Sequence, residues 1–211
     1  MAALTIWSYY RGQRVLASGE MNHRALSYLL SMVGEWSVVG YIAWGMKRAG
    51  GSVRSLIGRR WAGPGDFFTD VGIAVAFWFA SLLILGLTKV VLQMKEQSEM
   101  LKLMAPHNGL EMFLWIFVAL TAGICEEIIF RGYLQQQFTA WSNRVSVGIG
   151  LSVLFFGAGH IYQGVKSAIG ITVFGLLFSL LAHYRKSLRP GMMAHAWQDA
   201  LAGILLHLLA K

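Results

Sequence analysis

The sequence is poor in charge and in the residues that staple or stiffen a chain. Only 13% of its 211 residues are Asp, Glu, Lys or Arg, against ~25% in an ordinary soluble domain. One cysteine excludes an intramolecular disulfide framework, and three prolines exclude a proline-rich linker protein. Acidic residues are the scarcest charge, 10 Asp and Glu against 18 Lys and Arg, for a formal net charge of +8. Low charge with abundant apolar residues also excludes a disordered chain.

What replaces charge is hydrophobicity. Apolar residues make up 56% of the sequence and the mean hydropathy is +0.54. Six stretches, 25–46, 71–92, 110–130, 145–160, 168–184 and 192–210, come close to the length needed to cross a bilayer, about 20 residues. Residues 71–88 carry no charge at all. The expectation is an all-α protein, a polytopic membrane helix bundle of about six transmembrane helices with a polar intramembrane cavity. It forms one integral membrane domain over 1–211, with no internal repeat.

The surplus of basic residues could suggest a nucleic-acid partner, but its placement argues against one. Lys47, Arg48, Arg54, Arg59 and Arg60 fall in one loop, and Arg185, Lys186 and Arg189 in another. Basic residues clustered between apolar runs read as topology signals and contacts to the lipid bilayer. Residues 1–24 lack the apolar core of a secretory signal. They read as an interfacial segment, with Trp7, Tyr9 and Tyr10 at the headgroups and Arg11 and Arg14 on lipid phosphates.

Polar groups inside apolar spans are costly and by default functional. Four of the ten acidic residues lie in the expected spans: Glu35, Glu126, Glu127 and Asp199, with His160 and His195 beside them. Glu127 and Arg131 stand four apart on one helical face and can form an ion pair. Glu126 is rotated by about 100° from Glu127 and lacks that partner, which leaves it in an apolar setting as the candidate general base. His195 and Asp199 repeat the four-residue spacing. If the third helix continues to a hairpin near 141–143, Glu126 and His160 lie equally far from the turn and at similar depth. His195, five residues after Pro190, fits that depth less well. For Glu35, an ion pair with a loop arginine is the favoured expectation over a substrate contact. Cys125 beside the glutamates is expected to be a small buried hydrophobe rather than a nucleophile.

Three motifs stand in order: Glu126-Glu127-x3-Arg131, Phe156-x3-His160, and His195-x3-Asp199. Together, over about 110–205, they resemble the CAAX-processing and bacteriocin-processing (CPBP, or abortive-infection) intramembrane endopeptidases. The resemblance implies that Glu126 and His160 activate the attacking water, and that His195 and Asp199 stabilise the oxyanion. It implies a membrane protein or a lipidated peptide as substrate and admits both metal-dependent and metal-independent chemistry. Asp199 departs from the asparagine variant of the pattern, because an ionised carboxylate accepts but does not donate. It therefore either carries a proton, orients His195 or binds metal. Glu126, His160 and His195 would be the donors for a divalent ion such as zinc.

Other intramembrane chemistries lack their signatures. His-Glu-x-x-His and Gly-x-Ser-Gly are absent, and Gly63-Pro64-Gly65-Asp66 reads as a turn before the second span. A proton-coupled transporter using the same polar residues, or a non-catalytic scaffold or immunity factor, are the competing readings.

Overall fold

The structure is a computed structural model and describes residues 10, 12–19, 21, 23–93 and 99–209. Most of these residues are helical, and there is no strand among them. From Arg24 onward the α-helices are α1 (Arg24–Arg48), α2 (Val53–Ile57), α3 (Pro64–Val91), α4 (Glu99–Met104), α5 (Gly109–Ser142), α6 (Val145–Gly159), α7 (Val165–Arg185) and α8 (Arg189–Leu209).

Among the described residues, four helices, α1, α3, α5 and α7, are long and apolar enough to cross a membrane. The two other expected spans differ for separate reasons. The α6 helix has only 15 residues, and in α8 His195, Gln198, Asp199 and His207 interrupt the apolar run. Outward-facing Val33 of α1 and Phe79 and Leu83 of α3 are exposed, as a helix in contact with lipid requires.

Local sequence sets the ends of these helices. Asn108 accepts from the Glu111 amide at 2.9 Å, and the Glu111 carboxylate accepts from the His107 amide at 2.7 Å. This reciprocal pair satisfies donors that would otherwise be orphaned at the start of α5. Pro64 opens α3, where its missing N–H costs nothing, and Asp66 accepts from the Ala62 amide at 2.8 Å. The Gly63–Asp66 stretch, expected as a turn before the span, is instead the N-cap and first turn of α3 itself. Asn143, in the left-handed region at φ 55°, ends α5 and starts the return into α6.

The α5 helix is the axis of the bundle. Its apolar stretch is 56% buried inside the protein, against 11–28% for the other three long helices. Gly123 lets α8 approach closely, because a Cβ there would lie 2.7 Å from the Ala196 nitrogen. The Trp115 Nε1–H donates to the Asp199 carbonyl at 2.9 Å, further along the same crossing. At the other end, Leu188 packs with Cys125, Ile128 and Ile129, and its amide donates to the Ile57 carbonyl at 3.0 Å. The last helix therefore begins level with the middle of α5, not with its end at Ser142.

Trp7, Tyr9 and Arg11 of the expected interfacial segment lie outside the described residues. Gly12 abuts Tyr162, where an added Cβ would come within 3.0 Å of the tyrosine Cβ.

Candidate functional site

The long central helix is not α-helical throughout. From Glu127 to Leu134 it widens into a π-helix, a feature found often at functional sites. The Ser152 hydroxyl of α6 donates to the Phe130 carbonyl within this segment at 2.7 Å. Glu127 and Arg131 lie here, 3.1 Å apart, with side chains 1% and 0% exposed. The Arg131 guanidinium also donates to the Gly175 carbonyl at 3.2 Å and lies 4.2 Å from the centre of the Phe156 ring. A charge pair this deep needs such additional partners, since desolvation offsets much of its Coulomb attraction.

Glu127 has a second contact. Its Oε1 lies 3.1 Å from His195 Nδ1, so the proton on Nδ1 points at a carboxylate and the ring is held in one orientation. His195 Nε2 then faces Glu126 Oε2 at 3.6 Å and Asp199 Oδ2 at 3.6 Å. Both ring nitrogens thus face carboxylate oxygens, an arrangement that a doubly protonated imidazole satisfies. The start of α8 beside Ile128 and Ile129 is what brings His195 to this depth after so few residues.

His160 sits just beyond the end of α6, followed by a 3₁₀ turn over Ile161–Gln163. Its Nδ1 is 2.9 Å from the Phe156 carbonyl, one turn back. A carbonyl only accepts, so Nδ1 carries the proton of the neutral ring and Nε2 presents a lone pair. That Nε2 stands 3.9 Å from Glu126 Oε1. Glu126, His160, His195 and Asp199 come together around one point, while Glu127 and Arg131 lie behind it.

These four groups border a cavity of about 1220 Å³. Its wall changes character along its length. Glu126, His160, His195 and Asp199 form a polar end, and Leu82, Leu85 and Leu205 belong to an apolar remainder. Gln198 holds one side in place by accepting from the Trp78 indole of α3 at 2.9 Å.

Glu35 of α1 lines the same cavity. The expected arginine partner is not found, since no described Lys or Arg forms an ion pair with it, and its buried Oε2 has no hydrogen-bond partner. Arg48 closes the same helix 13 residues away, about 20 Å along the axis, which is beyond reach. Sequence flagged Glu35 as a polar residue in a span but had no spacing rule to connect it with motifs more than 90 residues later.

Cys125 is fully buried and packs in one apolar cluster with Val39 and Ile42 of α1. Among the described residues, no set of three or more His, Cys, Asp or Glu side chains is arranged to hold a metal ion. The two imidazoles that face Glu126 stand 3.9 Å (His160 Nε2) and 3.6 Å (His195 Nε2) from its carboxylate oxygens.

Span-length helices surrounding a buried cluster of glutamates and histidines, open to a large cavity, define an integral membrane protein with a polar intramembrane site. Residues 108–201 match the family model described as Rce1-like, type II CAAX prenyl endopeptidase Rce1-like. The matched stretch contains every motif residue from Glu126 to Asp199, and over it the chain is similar to that family of integral membrane endopeptidases. No curated protein and no solved structure was found to match it.

Proposed function

We propose that the protein is an intramembrane endopeptidase whose attacking water is held between Glu126 and His160. The observation that carries this reading is the 3.9 Å separation of Glu126 Oε1 and His160 Nε2. An ionised carboxylate and an unprotonated Nε2 are both acceptors, and at that distance they do not bond each other. A water between them donates one hydrogen to each, leaving an oxygen lone pair directed at the substrate.

Attack on the scissile carbonyl carbon forms the new C–O bond as the water proton passes to Glu126. The carbonyl electrons move onto oxygen, and His195 Nε2–H is the donor that faces the cavity to stabilise that charge. Asp199, 3.6 Å from the same nitrogen, orients His195 and does not contact the oxyanion itself. Collapse of the intermediate breaks the C–N bond. Glu126 returns its proton to the departing amine, and the products are a carboxylic acid and an amine.

The substrate in this reading is a membrane-inserted segment or a lipidated peptide. The apolar stretch of cavity wall around Leu82, Leu85 and Leu205 supports an apolar occupant next to the polar end. Comparing membrane-protein termini in cells carrying wild-type protein or Glu126→Gln at matched expression tests the proposal. New termini lost in the variant support it and name the substrate. Identical termini favour a scaffold or a proton-coupled transporter. Abolition of cleavage by a chelator, with recovery on adding zinc, would replace the metal-free mechanism with a metal-assisted one.

A further inference from the structure

Glu35 is the one acidic residue of the cavity that the mechanism above does not use. It lies on α1, outside the matched stretch 108–201. Glu126 has two histidines near it, Asp199 has His195, and Glu127 has Arg131 and His195. Glu35 Oε2 is buried with no hydrogen-bond partner among the described residues, as is Glu127 Oε2, but Glu127 does not line the cavity and is held by Arg131 and His195 through its other oxygen. Leaving a carboxylate oxygen without a donor at membrane depth is costly. On a cavity wall, the missing donor is one that a bound ligand supplies.

We propose that Glu35 is a positioning residue that accepts a hydrogen bond from a backbone N–H of the bound peptide segment. This rests on the endopeptidase reading, and it explains an acidic residue where neither fold nor water activation requires one. In its ionised form the carboxylate accepts and does not donate, so in that form it does not serve the oxyanion. Unlike Glu126, it has no histidine within ion-pair distance among the described residues. An extended chain entering a cavity brings N–H groups that lose water, and an acidic acceptor at a fixed point sets the register of the bond to be cut.

The test uses the full-length protein in lipid nanodiscs with a prenylated, internally quenched peptide. In a companion series, each backbone amide is replaced in turn by an ester, which removes one N–H. With wild-type protein, one ester position is expected to weaken kcat/KM and Kd by about 10- to 100-fold, the range for hydrogen bonds to charged groups. In Glu35→Ala, amide and ester at that position become equivalent. Glu35→Gln retains a carbonyl acceptor and restores part of the discrimination.

A purely structural Glu35 would lower all peptides alike and leave the amide-to-ester ratio unchanged, which overturns the proposal. Uniform tolerance of every ester by wild-type protein overturns it as well. Should wild-type protein bind the peptides without cutting them, the endopeptidase reading fails. The ratio of Kd values then decides the role of Glu35 by itself.

Discussion

Glu126 and Glu127 are neighbours in sequence, yet their surroundings separate them into two jobs. Glu127 is 1% exposed and paired with Arg131, while Glu126 is 17% exposed and borders the cavity. Replacing Glu126 with Gln, or His160 with Ala, should reduce turnover by about 10²- to 10⁴-fold, the usual weight of a general base. Membrane insertion and thermal stability should stay near wild type, because neither side chain carries a fold-holding contact. Normal cleavage by either variant would remove that residue from the mechanism. Glu127→Gln and Arg131→Ala should behave differently, since each leaves a buried partner uncompensated at a cost of about 3–5 kcal/mol. Reduced protein level and a lowered unfolding temperature are expected for both. Replacing the two together with apolar residues of similar volume should recover stability. It should not recover activity, because His195 would still lack the carboxylate that orients Nδ1.

At the scale of elements, the crossing of α5 and α8 sets the geometry of the site. Gly123 is the contact point, and a Cβ there would also lie 2.9 Å from the Met192 carbonyl. Gly123→Ala should therefore push α8 outward by a few tenths of an ångström or more and move His195 relative to Glu126. Activity should fall further than stability, measured as cleavage rate against unfolding temperature on the same preparation. Equal losses would mean that the crossing serves the fold alone. Much of this arrangement was legible in the sequence. Counting residues either side of Asn143 puts Glu126 and His160 at one depth, because a hairpin of two helices is nearly symmetric. Four-residue spacing links Glu127 with Arg131 and His195 with Asp199 because the helical repeat enforces it. The depth of His195 was not legible, since it depends on Leu188 docking against the middle of α5, a long-range contact with no local signal. The π-helix at Glu127–Leu134 was equally hidden, because contacts from α6 and α7, among them Ser152 to Phe130 and Arg131 to Gly175, accompany the widening. Glu35 joins the site only through the crossing of α1 with α5, which no spacing rule encodes.

For the whole molecule, the cavity unites parts of the chain with different standing. The stretch that matches the family model, 108–201, carries Glu126, His160, His195 and Asp199, while Glu35, Trp78, Leu82 and Leu85 on α1 and α3 belong to the rest of the wall. The site is therefore a property of the assembled bundle and should be lost with global unfolding rather than before it. Cys125 offers a direct reading of that event. It is the only cysteine in the sequence, it is fully buried, and it packs between α5 and α1 through Val39 and Ile42. A thiol in that position is inaccessible to a maleimide dye until α1 separates from α5. Labelling in detergent during a temperature ramp should give one sharp rise, and loss of cleavage should follow the same curve. A bound peptide should shift both midpoints upward together, since a ligand that binds only the folded state stabilises it by mass action. Rapid labelling at low temperature, with activity intact, would show that α1 leaves α5 without disturbing the site. The cavity wall that includes Glu35 would then be separable from the chemistry at Glu126 and His160.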